Sequence, residues 1–178
     1  MIIGLLGKKG SGKDTMADFL VKNYHFKQYT YAEPLKKLCQ DLFSLTEEQM
    51  NCHVLKETID ERWNKTPRQI LQQVGTDLFR KHYDENIWVK ILKEKVKAEP
   101  NDQNIVVSDI RHQNELDTVT EFKNCIIFRI VRPGCDVSDQ HSTENNNLIC
   151  KNIITINNDG SIQDFYEKIK RELKHVIY

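Results

Sequence analysis

The apolar run Met1 to Leu6 ends in Gly7-Lys8-Lys9-Gly10-Ser11-Gly12-Lys13-Asp14-Thr15, and this GxxxxGK pattern restricts the possible folds more than any other feature of the chain. Glycines let the backbone turn so that successive amide N–H groups point inward at an anion, and a helix that starts at once adds the positive end of its dipole at the same spot. The predicted unit is strand, phosphate-binding loop, helix. Gly7, Lys8, Gly10, Ser11, Gly12, Lys13, Asp14 and Thr15 are therefore expected to surround nucleotide phosphates, with Lys13 reaching the β and γ groups. Asp14 stands where Ser or Thr commonly offers Mg²⁺ a hydroxyl. A carboxylate ligates Mg²⁺ well, so Asp14 is expected to act on the metal or its waters and Thr15 to touch a phosphate.

The rest of the chain repeats the alternation. Short apolar runs, Phe26 to Tyr31, Ile105 to Ser108, Cys125 to Val131 and Ile153 to Ile156, join Met1 to Leu6 as strands. Between them lie helical stripes, Met16, Ala17, Leu20, Val21 and Tyr24, then Ile162, Phe165, Ile169, Leu173 and Val176. Thr66 to Lys97 carries two apolar faces, Ile70, Leu71, Val74 and Leu78, then Trp88, Ile91, Leu92 and Val96, and reads as two helices with a bend near Tyr83 to Asn86. A short helix is expected between the fourth and fifth strands, and Leu45 to Lys65 and Arg132 to Lys151 read as irregular insertions. This is an α/β pattern with a mostly parallel five-stranded sheet flanked by helices.

Composition limits the function. At 178 residues with 39% apolar and 29% charged residues, the chain suits one compact domain rather than a disordered or fibrous one. Lys plus Arg equals Asp plus Glu at 26 each, and without a basic excess direct nucleic-acid binding is not expected. No apolar stretch approaches the ~20 residues that span a bilayer, and no cleavage pattern follows Met1 to Gly7. The expected setting is cytoplasmic, with Cys39, Cys52, Cys125, Cys135 and Cys150 as scattered reduced thiols.

A phosphate-binding loop serves many chemistries, so the acceptor must be read elsewhere. No Asn-Lys-x-Asp tetrapeptide or DxxG marks a guanine-nucleotide switch. Thr66 and Pro67 signal a helix start, after which Arg68, Gln72, Thr76 and Arg80 recur on the face opposite Ile70, Leu71, Val74 and Leu78. That face offers a guanidinium and amides to a ligand, or is simply solvated. Trp88, which opens the next helix, is assigned to the acceptor side with them. The third strand ends in Ser108-Asp109-Ile110-Arg111, and in open parallel sheets ligands sit at the strands' C-terminal ends. Asp109 is expected to hold a Mg²⁺-bound water or orient the acceptor while Arg111 grips a phosphate; the plainer alternative is a helix cap. Arg132, at the end of the fourth strand, is a candidate to close over phosphates, whereas Arg129 within it suits a structural role. His141 and Glu144 either contact substrate or brace their loop.

Taken together, the GKDT loop, Ala32-Glu33-Pro34-Leu35-Lys36, the TPRxxLQxxGT helix, the Ser-Asp-Ile-Arg strand end, Asp139-Gln140-His141-Ser142-Thr143-Glu144 and Asn158-Asp159-Gly160-Ser161 resemble the deoxynucleoside monophosphate kinases of bacteriophages and large DNA viruses. The resemblance spans nearly the whole chain. It implies a P-loop nucleoside-monophosphate-kinase fold, ATP with Mg²⁺ as donor, and a deoxynucleoside 5′-monophosphate as acceptor, with diphosphate as product. It further implies that Arg68, Gln72 and Thr76 face the acceptor, that Asp109 and Arg111 lie at the reacting phosphates, and that Asn158 to Gly160 lies near the adenine. Within a single kinase domain it implies a mobile acceptor-binding region at about 34–98 and a short lid-like segment at about 132–151. Residues 45–65 match no motif, and homodimerisation stays open. Animal-type phosphomevalonate kinase shares the GKDx loop and the strand end and is the second reading; a regulator that holds ATP without turning it over is the third.

Overall fold

The computed structural model describes residues 1–135 and 148–177. Five strands, β1 (Ile2–Leu6), β2 (Lys27–Tyr29), β3 (Ile105–Val107), β4 (Cys125–Val131) and β5 (Ile153–Asn157), form one sheet in the order β2-β3-β1-β4-β5. Every pairing is parallel. All five expected strands are present, shifted by at most a few residues at their ends. β1 and β3, flanked by strands on both sides, are wholly buried, whereas the edge strands β2 and β5 and the longer β4 are partly exposed.

Helices α1 (Lys13–Tyr24) and α8 (Ile162–Ile177) share a core with one face of the sheet. Met16, Phe19 and Leu20 of α1 and Phe165, Ile169 and Leu173 of α8 pack with Ile3, Leu5, Phe128 and Ile130. The stripes thus hold in their middles, while Val21 and Ile162 at their margins are exposed. Helix α7 (Gln113–Thr120) covers the opposite face, where Val119 and Ile110 close over Gly4. The short helix expected between β4 and β5 falls largely on 136–147, outside the described residues.

The chain divides into two compact units, Met1–Thr30 with Lys95–Tyr178, and Tyr31–Glu94. The second is helical: α2 (Ala32–Phe43), α3 (Glu47–Asn51), α4 (His53–Glu57), α5 (Pro67–Gln72) continuing into a π-helical segment (Gln73–Lys81), and the first turns of α6 (Ile87–Lys97). Its core is Cys39, Leu45, Met50, Ile70, Leu71 and Val74.

Two expectations are corrected here. Leu45 to Lys65 is not irregular throughout. It holds α3, started by a capping box in which Thr46 Oγ1 accepts from Gln49 N–H and Gln49 Oε1 accepts from Thr46 N–H, then α4, then an antiparallel bridge between Asp60 and Lys65. Helices of one turn are too short to show a period. Leu78, expected in the core, is 58% exposed. Bonds from i to i+5 in the π segment place positions five apart on one row, so Val74 is followed by the partly buried Phe79 rather than Leu78. All five cysteines are free thiols, and burial pushes Cys39 and Cys125 up to about 11.

Candidate active site

The sheet directs several predicted residues to one edge. Gly7 to Gly12 leave the C-terminal end of β1 and enter α1 at Lys13. The loop needs glycine at two places by shape alone. A Cβ on Gly7, at φ 150°, would lie 2.5 Å from Ser11 Oγ and 2.6 Å from the Ile130 carbonyl oxygen. On Gly12, in the left-handed region at φ 112°, it would lie 2.6 Å from Asn158 Nδ2. Gly12 caps α1 without a side-chain bond, and the N-terminus of that helix turns its positive end toward the loop. Lys13 Nζ donates to the carbonyls of Gly7 at 2.6 Å and Lys8 at 2.8 Å, so the amine lies across its own loop. Asp14 is exposed and Thr15 half-buried, both in the first turn.

Beside the loop a cleft of about 270 Å³ is lined by Gly7, Lys8 and Ser11 together with Arg129 to Pro133 and Cys135. Ser11 is only 1% exposed, yet among the described residues its hydroxyl has no hydrogen-bond partner, and Arg129 Nε is likewise buried without one. Unpaired buried donors are costly unless a ligand satisfies them. With Lys8 and Arg132 on the same walls, the cleft suits an anion.

Parallel register carries two further segments to this edge. Gly4 pairs with Val107, so Asp109, two residues on, comes level with Leu6, the residue before Gly7. Leu6 pairs with Arg129, which brings Arg132 past the strand end to the cleft. Arg129 Nη2 donates to the Leu148 carbonyl at 2.9 Å, the structural role expected of it, while the same side chain also lines the cleft. Asp109 is half-buried and Arg111 exposed. The loop 158–160 reaches the site through its first residue. Asn158 Nδ2 donates to the Ser11 carbonyl at 2.8 Å, and its N–H to the Val131 carbonyl at 2.7 Å. Asn158 therefore braces the phosphate loop, a contact that its sequence position did not disclose. Gly160 is exposed in the turn into α8, whose start is capped by Ser161 and Asp164.

In the helical unit, Thr66 accepts from Gln69 N–H and Pro67 occupies the first turn, as the sequence indicated. Gln72 and Thr76 are exposed, and Arg68 donates through Nε to Glu57 on α4. Trp88 is 5% exposed, its indole N–H donates to the Gly75 carbonyl at 3.1 Å, and its ring packs against Phe79 with centroids 5.3 Å apart. A tryptophan so enclosed fills the interior of its unit, a placement that its sequence position did not disclose. His141 and Glu144 lie outside the described residues. Among the described residues no three His, Cys, Asp or Glu side chains cluster to hold a metal, so a divalent ion here would draw on one or two carboxylates and the substrate's own phosphates, the usual mode for Mg²⁺.

A parallel sheet in this order, with a glycine cradle after its first strand and cationic side chains at its C-terminal edge, defines the P-loop kinase class. Solved structures agree on the fold: shikimate kinase from Aquifex aeolicus superposes with a TM-score of 0.52 at 15% identity, covering 98% of this chain and 96% of its own. Dephospho-CoA kinase from Campylobacter jejuni gives 0.52 at 12%, covering 98% and 96%. The family model described as deoxynucleotide monophosphate kinase matches residues 1–64 and 47–169. A protein of Acanthamoeba polyphaga mimivirus that bears this family's name is 38% identical over 95% of this chain and 94% of its own length. The deoxynucleotide monophosphate kinase of Enterobacteria phage T4 is 26% identical over 97% and 98%. The chain belongs to the deoxynucleotide monophosphate kinase family.

Proposed function

We propose that the protein transfers the γ-phosphoryl group of ATP, in the presence of Mg²⁺, to a deoxynucleoside 5′-monophosphate, giving ADP and the deoxynucleoside diphosphate. The observation that carries this reading is the family match across residues 1–169, joined to a phosphate loop whose buried donors suit an anion. An oxygen of the acceptor's phosphate attacks the γ-phosphorus while the bond to the bridging oxygen of ADP breaks. The attacking oxygen is already anionic, so no general base is needed, and alignment and charge neutralisation supply the acceleration.

Each residue then has a task. The amides of the loop and Ser11 bind the donor's phosphates, and Lys13 leaves the Gly7 and Lys8 carbonyls for the β and γ oxygens. Asp109 and Arg111 align the reacting groups, and Arg132 neutralises charge from the cleft wall. Asp14, Asp109 and the substrate phosphates would hold Mg²⁺, which when bound shields the phosphate charges. Thr15 touches a phosphate, and the turn from Asn158 to Gly160 lies at the base of ATP. In the helical unit Arg68 exchanges Glu57 for the acceptor's phosphate, with Gln72 and Thr76 beside it.

The second and third readings, a phosphomevalonate kinase and a non-catalytic ATP binder, gain no support from the family match. Lys13→Ala tests the proposal. Lys13 Nζ donates to carbonyls of its own loop and lies outside the hydrophobic core of the sheet unit, so the variant should unfold within a few degrees of the parent temperature while diphosphate formation falls at least a hundredfold. Near-normal turnover would mean that this loop does not hold the donor.

A further inference from the structure

We propose that Glu115 is a positioning residue that holds the backbone of Arg111, at the end of the Asp109-Ile110-Arg111 turn, beside the phosphate loop. This rests on the kinase reading above, in which that turn faces the reacting phosphates. Glu115 is 2% exposed. One of its oxygens, Oε2, accepts from two successive backbone amides, Arg111 N–H at 2.7 Å and His112 N–H at 3.1 Å.

An ordinary helix cap explains only the second of these bonds. In a capping box the acid at the third helical position reaches back to the residue that precedes the helix, and here that residue is His112. The shorter bond goes one residue further back, outside the helix, to the backbone of Arg111. A surface cap does not require burial either, whereas Glu115 is enclosed beside Leu116 and Val119, which are fully buried. The carboxylate therefore ties α7, packed on the sheet, to the segment that leaves β3 level with Leu6 and Gly7. From the other side Gln28 Nε2 donates to Ser108 Oγ at 2.7 Å, and Ser108 N–H donates to the Tyr29 carbonyl. The turn is thus pinned at both ends, with Asp109 and the exposed Arg111 side chain presented between the pins.

Fixing a backbone in this way matters for transfer because an aligning group displaced by about 1 Å can cost about a hundredfold in rate. Glu115 touches no substrate in this account. Its effect passes through Arg111, and its loss should lower kcat while leaving KM for ATP within about twofold.

Because one oxygen accepts both bonds, Glu115→Gln can keep them with its carbonyl oxygen, whereas Glu115→Ala cannot. The experiment measures kcat and both KM values for Glu115→Ala, Glu115→Gln, Arg111→Ala and the Glu115→Ala/Arg111→Ala pair, with thermal unfolding of each. The expected result is a tenfold to hundredfold loss of kcat in Glu115→Ala, rescue to within about threefold by Gln, and a double variant no worse than Arg111→Ala alone. Losses that multiply in the double variant, or a Gln variant that unfolds normally and remains as impaired as Ala, would overturn the proposal. Should Glu115→Ala not fold, the Gln variant and its pairing with Arg111→Ala decide the matter by the same criteria. If the parent protein transfers phosphate but Arg111→Ala is unimpaired, the proposal also fails while the kinase reading stands; absence of any transfer by the parent is the failure of that reading itself.

Discussion

In the proposed reading Arg68 carries two roles, pairing with Glu57 in the free protein and with the acceptor's phosphate in the complex. Its guanidinium is paired with Glu57, and the two side chains remain 29% and 45% exposed. An exposed pair of this kind contributes little to stability, about 0 to 1 kcal/mol, so a phosphate dianion can take the place of Glu57 at small cost. Arg68→Ala should therefore lower kcat/KM for the deoxynucleoside monophosphate by about tenfold or more, as expected for a charged hydrogen bond of roughly 1.5 to 3 kcal/mol, and leave KM for ATP nearly unchanged. Lysine should restore little, because it offers a point charge where arginine offers a planar fork. Steady-state kinetics with each nucleotide varied in turn checks this; a variant that loses ATP and keeps the acceptor would show that the two nucleotide sites are assigned the wrong way round.

Among the elements, the phosphate loop was legible because its glycines, its lysine, the strand before it and the start of the helix after it all lie within the first fifteen residues. The α5 start was legible for the same reason, since Thr66, Pro67 and Gln69 are a local signal. The π-helical segment was not. Its widened turns follow from packing, with Phe79 against Trp88 and Tyr83, and a sequence read with a period of 3.6 puts Leu78 inside instead. Phe79→Ala should therefore destabilise by about 2 kcal/mol, as for a large side chain removed from a partly buried site, while Leu78→Ala stays within about 0.5 kcal/mol. Urea unfolding distinguishes the two, and equal losses would restore the α-helical register.

The bridge after α4 offers a second test at this scale. Asp60 Oδ2 accepts from Arg62 Nη2 at 2.6 Å and from Gln49 Nε2 at 3.1 Å, while Oδ1 accepts from Arg62 Nε at 2.9 Å. Hydrogen bonding to Arg62 holds its carboxyl well below the ordinary carboxylate range, and Gln49 adds to the effect. A carboxylate depressed in the folded state stabilises the protein fully above its unfolded value near ~3.9 and loses that contribution as the pH falls below it. Between about pH 5 and pH 2 the parent should lose melting temperature more steeply than Asp60→Asn; parallel curves would remove Asp60 from the acid transition.

For the molecule as a whole, the sequence disclosed the sheet unit more fully than the helical one. Strands buried on both faces announce themselves as apolar runs, and parallel pairing then brings their C-terminal ends to one edge, so Asp109 and Arg132 could be assigned with Lys13 although 96 and 119 residues separate them. Contacts made by backbone carried no such signal: the Asn158 bond to the Ser11 carbonyl and the Glu115 bonds to Arg111 and His112 depend on where main chains meet. The burial of Trp88 was not legible because a large aromatic at a helix start reads the same whether it meets a base or fills a core. Among the described residues no helix is long and apolar enough to cross a membrane.

The most direct measurement is of acceptor use by the purified chain. With ATP and Mg²⁺ present, each deoxynucleoside and ribonucleoside 5′-monophosphate and mevalonate 5-phosphate is supplied separately, and ADP and the phosphorylated product are quantified beside Lys13→Ala. The expected result is diphosphate formed from at least one deoxynucleoside monophosphate in equal amount to ADP, abolished in the variant, with no product from mevalonate 5-phosphate. Tight ATP binding with no product from any nucleotide, or preferential phosphorylation of mevalonate 5-phosphate, would contradict the account.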